Sequence, residues 1–223
     1  MAEQSTKKYR DIYVSVNGVT LTGIVQSLEP VKGIVIFAHG LSSSRFSPIN
    51  RHVANLLTDA GVASVLIDLL TPGERALSKQ RGYDANIQLI ASRLVCTIEW
   101  ITHDEALGKF PIGIFGTNMS AAAALAAATE RTDCISALAL SNAKPELIKN
   151  YLQRVKAPTL LISGDKDRAQ LQWNRDAIEA LDTKHRLEII SGTTHDSHNP
   201  KVLEQIAAHT QQWFLQQFLY KQQ

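Results

Sequence analysis

Between Tyr13 and Gln26 polar and apolar residues alternate on both sides of Asn17-Gly18, in the stretch YVSVNGVTLTGIVQ. Period-two alternation interrupted by this dipeptide predicts an antiparallel hairpin, because Asn and Gly accept the positive φ that a two-residue turn requires. After Pro30 the pattern changes. GIVIFAHG, GVASVLIDLL, PIGIFG, CISALALSNA and APTLLISGD are short, continuous apolar runs, as expected for strands buried on both faces of a mainly parallel sheet. Between them apolar residues recur at intervals of three and four. Ile87, Ile90, Leu94, Ile98 and Ile101 form one such series, Ile178 and Leu181 another, and Val202, Ile206, Thr210 and Trp213 a third. These predict helices, the last of them started by Asn199-Pro200 as cap and first-turn proline. Strands alternating with helices imply a doubly wound α/β sheet, whose ligands bind outside the carboxyl ends of the strands.

No internal repeat or long linker divides the chain, so one domain over residues 1–223 is expected. The connection from LALSNA to APTLLI holds at most one helix, PELIKNYLQRV, which leaves little room for a lid domain and implies an open, shallow pocket. The composition, 44% hydrophobic and 20% charged, is that of an ordinary globular domain. The net charge of +2 is spread along the chain except for KKYR near the start, which reads as a solvated tail, and nucleic acid is not expected as a partner. MAEQSTKKYR has no apolar core of a signal peptide, and no run approaches the roughly 20 apolar residues that span a bilayer. A soluble, cytoplasmic protein without a membrane partner is expected. Cys96 and Cys134 lack metal-site spacing and are expected to be reduced, buried thiols. Asn118-Met119-Ser120 is a glycosylation sequon by pattern, but it falls inside a turn that should be packed.

The turn in question is Gly116-Thr117-Asn118-Met119-Ser120, with an apolar strand before it and an alanine-rich helix after it. A strand, a tight turn of small residues and a helix make the layout of a nucleophile elbow, G-x-S-x-G, which lifts a serine out of a sheet. Here Asn118 stands at the central position. The strand GIVIFAHG ends in His39-Gly40-Leu41-Ser42, where the backbone N–H of Leu41 would be one oxyanion donor. The N–H of Met119, at the start of a helix, would be the second. APTLLISGDKD ends in Asp165 and Asp167; a carboxylate just past a late strand can orient a histidine, and Asp167 is preferred, although turn chemistry alone explains either residue. LEIISGTTHDSHNP runs from a strand into a loop carrying His195 and His198. His195 is the candidate base. Two loop histidines without a clear third ligand do not make a zinc site, and no metal or cofactor is expected.

The order elbow, Asp167, His195 matches the Ser, Asp, His order of α/β hydrolases, and the chain resembles their dienelactone-hydrolase-like members. The resemblance covers nearly everything after the first strand, through FAHGLSSSRFSPINRHVANLL, IDLLTPGE, GIFGTNMSAAAAL, SNAKPEL, APTLLISGDKD and SGTTH. It implies an α/β-hydrolase fold without a large lid and action on a small ester or lactone. The departure is at the centre, where such proteins carry serine or cysteine. An amide is not an acyl-transfer nucleophile, and losing a triad serine can cost about 10⁶ in turnover. Ser120 replaces the last glycine of the elbow. It lies two residues on, turned by about 200° around the helix, and reads as a small packing residue rather than a substitute nucleophile.

Several functions remain open on these residues. The site could be a non-catalytic small-molecule pocket, or a lyase, isomerase, cyclase or water-attack hydrolase using His195 as acid or base without a covalent step. The asparagine could also have been substituted into an active serine esterase. Arg45 could read an anionic group on the ligand, since its planar fork suits a carboxylate, or be a plain surface residue. Asn142, at the end of LALSNA, could hydrogen-bond a ligand. Asp68 and Glu74 are expected to cap loop amides more than to line the pocket.

Overall fold

The computed structural model describes residues 6–39, 45–194 and 199–220. It begins with the expected hairpin, β1 (Lys8–Val16) and β2 (Val19–Ser27), whose turn places Asn17 at φ 46° and Gly18 at φ 81°. There follow β3 (Gly33–Ala38), α1 (Pro48–Asp59), β4 (Val62–Ile67), α2 (Pro72–Arg81), α3 (Tyr83–His103), β5 (Ile112–Thr117) and α4 (Met119–Glu130). The chain continues through β6 (Ile135–Ser141), α5 (Pro145–Ile148), β7 (Thr159–Gly164), α6 (Arg168–Glu179), β8 (His185–Ile190) and α7 (Pro200–Tyr220).

The strands form one sheet in the order β1-β2-β4-β3-β5-β6-β7-β8. β2 meets β4 antiparallel, with Gly23 opposite Ile67, and from β4 to β8 every pairing is parallel. Side-chain alternation divides the core into two layers. Ile34, Ile36, Ile114 and Leu140 point to the side covered by α3, α4 and α6, and Val35, Phe37, Phe115 and Ala139 to the side covered by α1 and α7. Both faces are therefore dry, which is why these strands read as unbroken apolar runs. In α4 every residue from Ser120 to Ala128 is buried. A helix apolar all round belongs inside, and its small side chains let it pack against β5 and α3 at once.

The link between β6 and β7 is more broken than one helix: α5 is a single turn, followed by a 3-10 turn at Leu152–Arg154. Cys96, on α3, and Cys134, in the turn just before β6, are free thiols that pack against the core but are only partly buried. No helix among the described residues is long and apolar enough to cross a membrane.

Candidate active site

The register Thr117 opposite Ser141 carries the β5–β6 ladder to the very edge of the sheet, and the Asn118 N–H extends it by donating to the Ser141 carbonyl at 3.0 Å. Beyond that bond the chain must reverse into α4. It does so at Asn118 with φ 52° and ψ −122°, the first corner of a type II′ turn, a region that residues with a Cβ rarely occupy. The Asn118 carbonyl then accepts from the Ala121 N–H at 3.2 Å. Gly116 makes the close approach possible, since a Cβ there would lie 2.9 Å from the Ser120 carbonyl oxygen and 3.0 Å from the Ala121 Cα. Ser120 is buried against this contact, 3% exposed, as its packing role requires. Asn118 and Met119 are partly buried, and Met119 opens α4.

The neighbouring strand ends converge on the same edge. Asn142 follows β6 at φ 53°, its N–H donating to the Ile162 carbonyl at 2.9 Å. After β7, Asp165 and Asp167 have separate tasks. Asp165 Oδ1 accepts from the Gly192 N–H at 2.7 Å, and the Lys166 N–H donates to the Thr193 carbonyl at 3.0 Å. Gly164 leaves room for the Thr193 main chain, which a Cβ would strike. These contacts fasten the segment after β8, just before position 195, to the end of β7. Asp167 is the N-cap of α6, its Oδ1 accepting from the Gln170 N–H at 3.0 Å. Asp165 is thus the loop fastener, and Asp167 is the carboxylate at the head of a helix. His195 and His198, like Leu41, lie outside the described residues.

On the other flank, Arg45 is held in place. Its Nη1 donates to Thr22 Oγ1 at 2.9 Å, its Nε lies 3.4 Å from Asp68 Oδ2, and its guanidinium stacks 4.9 Å from the Phe46 ring centroid. Asp68 also accepts from the Arg45 backbone N–H at 3.2 Å and faces Arg75 at 3.7 Å, so it caps a loop amide while pairing with two cations. A cavity of about 630 Å³ opens here, walled by Arg45, Asp68, Arg75, Thr22 and Thr71. Glu74 does not face it as a ligand group. It closes a capping box, accepting from the Thr71 N–H at 2.9 Å while the Glu74 N–H donates to Thr71 Oγ1 at 3.3 Å. Its carboxylate also takes both arms of buried Arg93, each at 2.6 Å. That fork, more than any other contact, lowers the Glu74 pKa to about 2.

His39 was not among the residues that the sequence singled out for side-chain chemistry. It stands directly after β3, 1% exposed, with Nδ1 2.8 Å from Asn50 Nδ2 on α1. With the Asn50 amide donating, Nδ1 is the acceptor and the proton sits on Nε2, which has no partner among the described residues. Burial, reinforced by the charges of Arg75 and Arg45, lowers its pKa to about 3. His39 is therefore a neutral, buried ring that ties the end of β3 to α1, not an acid or base. The HG pair drew attention to the backbone at this point in the sequence; only burial and the Asn50 contact identify the ring.

The comparisons with known proteins bear on the fold that carries these residues. A dienelactone hydrolase from Anabaena variabilis is 39% identical, with a TM-score of 0.89 over 95% of this chain and 98% of that one. The chain belongs to the dienelactone-hydrolase-like α/β hydrolases. Est1E from Butyrivibrio proteoclasticus shares the α/β-hydrolase fold at 16% identity and a TM-score of 0.76, over 94% and 99% of the two chains. Proteins from two strains of Mycobacterium tuberculosis, provisionally named phosphoribosyl transferases, are 38% identical over 205 residues, 92% of this chain. The match takes in 46% of their length, so this dienelactone-hydrolase-like chain spans about half the length of the curated relatives it matches. No protein-family model matches the chain.

Proposed function

We propose that the chain carries an acyl-transfer site for a small, anionic ester or lactone in which the covalent route is interrupted at Asn118. The observation that carries this is the conformation of Asn118 itself. A residue with a Cβ is held at φ 52° and ψ −122° between a strand and a helix N-terminus, the backbone that presents a nucleophile, although its side chain is not one. Met119 N–H at the head of α4 serves as one oxyanion donor, Leu41 N–H as the other, and His195 as the base oriented by Asp167. The anionic character rests on Arg45 and Arg75, which wall the cavity at the end of β4 and add to the field on His39. Asn142 contributes a polar group at the same edge.

The transferase name of the longer relatives is best assigned to the part of them that this chain does not match. The same stretch that aligns with them is accounted for over nearly its whole length by a hydrolase of the same size. For this chain, ester chemistry is the reading with a site behind it.

The test is Asn118→Ser. Intact-mass analysis first establishes that the parent protein still carries the amide. The variant should then hydrolyse small activated esters at a rate several orders of magnitude above the parent, in line with the roughly 10⁶ that a triad serine is worth. A folded variant inert toward a broad ester panel would show that the site has diverged beyond its nucleophile, leaving a binding pocket as the better account. Comparable activity in the parent amide form would mean that water or another group attacks, and that Asn118 is not the reason for silence.

A further inference from the structure

The elbow that would present a nucleophile also places Asn118 in an unusual relation to its own chain. At a tetrahedral Cα the Cβ stands about 120° around the Cα–C bond from the backbone nitrogen. With ψ at −122°, Cβ is therefore rotated almost exactly into the plane of the next peptide nitrogen, so that Cβ, Cα, the carbonyl carbon and Met119 N lie nearly coplanar on the same side. That is the backbone of a five-membered succinimide ring lacking only its last bond, from Met119 N to Asn118 Cγ. Most asparagines in folded proteins are kept from this ring because helical and extended residues hold ψ far from this value. Here the fold enforces it: the Asn118 N–H is tied to the Ser141 carbonyl at 3.0 Å and the Asn118 carbonyl to the Ala121 N–H at 3.2 Å.

We infer that Asn118 is a self-deamidating residue, converted in the folded protein to a carboxylate through a succinimide formed with the Met119 nitrogen. Met119 N gives its proton to solvent and attacks Cγ; the Cγ–Nδ2 bond breaks and ammonia leaves, closing the ring. Water then opens the ring. Attack at Cγ breaks its bond to Met119 N and yields aspartate with the main chain intact, while attack at the main-chain carbonyl yields isoaspartate. The net change is amide plus water to carboxylate plus ammonium. Two further features favour the first step. Met119 is the first residue of α4, so its N–H is not committed to an intrahelical bond, and the positive end of the helix dipole favours the anionic nitrogen and the tetrahedral oxyanion that develop there. The product places a carboxylate, a group able to act as a covalent nucleophile, where the chain otherwise has an inert amide.

The inference goes beyond the proposed ester chemistry and does not rest on it, since it is read by mass and not by activity. Full-length protein is held at mildly alkaline pH, native and in urea, and sampled for intact mass and peptide mapping. Asn17-Gly18 is the internal reference, because in an unfolded chain the small glycine makes it the easier ring to close. In urea Asn17 should convert first. In the native protein the order should reverse, with Asn118 converting at least about tenfold faster than the same residue in urea, the gain expected of a pre-oriented intramolecular attack. Isoaspartate should appear among the products at position 118. Asn118→Gln, which cannot close a five-membered ring, should lose the mass gain at that site. An amide that persists at 118 in the native protein while Asn17 converts, or a conversion at 118 that is as fast or faster in urea, overturns the inference.

Discussion

Acidification should destabilise this protein through His39. In the unfolded chain the imidazole takes up a proton near pH 6.5, but in the folded protein burial first, and then the charges of Arg75 and Arg45, hold this off until about pH 3. The folded value is the lower of the two, so between them only the unfolded state is protonated and stability falls as pH falls. The slope is that of one proton, about 1.4 kcal/mol per pH unit, and it does not depend on where the lower limit lies. Going from about pH 6.5 to about pH 4.5 therefore costs roughly 2 to 3 kcal/mol, a large part of the 5–15 kcal/mol that typically holds a domain together. Urea unfolding at closely spaced pH values, for the parent and for His39→Gln, isolates the contribution. Above about pH 7 the two stability curves should run parallel, and below it the parent should fall more steeply by about 1.4 kcal/mol per unit. Equal slopes across this window would mean that His39 accepts a proton inside the folded protein, and the account of a buried, neutral ring would be wrong.

Two other substitutions test the framework of the site. Glu74→Gln removes the charge that faces buried Arg93 and should cost about 3 kcal/mol at neutral pH, as for one partner taken from a buried pair. Because the folded pKa of Glu74 is depressed from 4.5 to about 2, this stabilisation is complete above pH 4.5 and fades as pH falls toward 2, so parent and variant should converge in acid; a constant gap in urea unfolding would refute it. Gly116→Ala pushes a methyl to 2.9 Å from the Ser120 carbonyl and should destabilise by roughly 1–3 kcal/mol while displacing α4, visible as lost protection of the α4 amides in hydrogen exchange. Unchanged stability would show that the helix does not need this approach.

Much of this architecture was legible in the sequence because burial on both faces writes strands as continuous apolar runs, and Asn17-Gly18 writes a hairpin. The elbow was legible for a similar reason: small residues between an apolar strand and an alanine helix serve close packing and little else. What was not legible depends on distant partners. Arg93 did not stand out in the sequence, since its carboxylate partner is 19 residues away on another element. The capping box Thr71-Pro72-Gly73-Glu74 was present in the letters, but α2 carries almost no apolar stripe to announce a helix, and Glu74 could be assigned only as a cap of loop amides. His39 was visible as half of the HG pair, yet its ring matters through burial and through Asn50, neither of which a linear pattern encodes.

The elbow itself argues that position 118 is under structural compulsion and that the chemistry there follows from it. Holding a residue with a Cβ at φ 52° costs on the order of 1–3 kcal/mol, a cost that glycine would remove. The ladder bond to Ser141 and the turn bond to Ala121 impose this conformation whatever the side chain, and asparagine is among the few non-glycine residues that tolerate positive φ. An asparagine so held has its amide at the head of a buried helix, on a sheet edge that carries Arg45 and Arg75 paired with Asp68 on one flank and Asp165 and Asp167 on the other. In the proposed reading the Arg45 and Arg75 flank and the N-terminus of α4 favour negative charge, whether it arrives on a ligand or develops on residue 118 itself. Serine at 118 would turn the field toward an acyl oxyanion, and aspartate would use it to keep a carboxylate ionised. Comparing parent, Asn118→Ser and Asn118→Asp for affinity toward small carboxylates separates the two uses. The serine variant should bind them about as the parent with its amide intact does, established by intact mass, and the aspartate variant more weakly, by the repulsion of like charges on one edge. Equal affinity in all three would place the anion site away from the elbow and break the link between the cationic wall and residue 118.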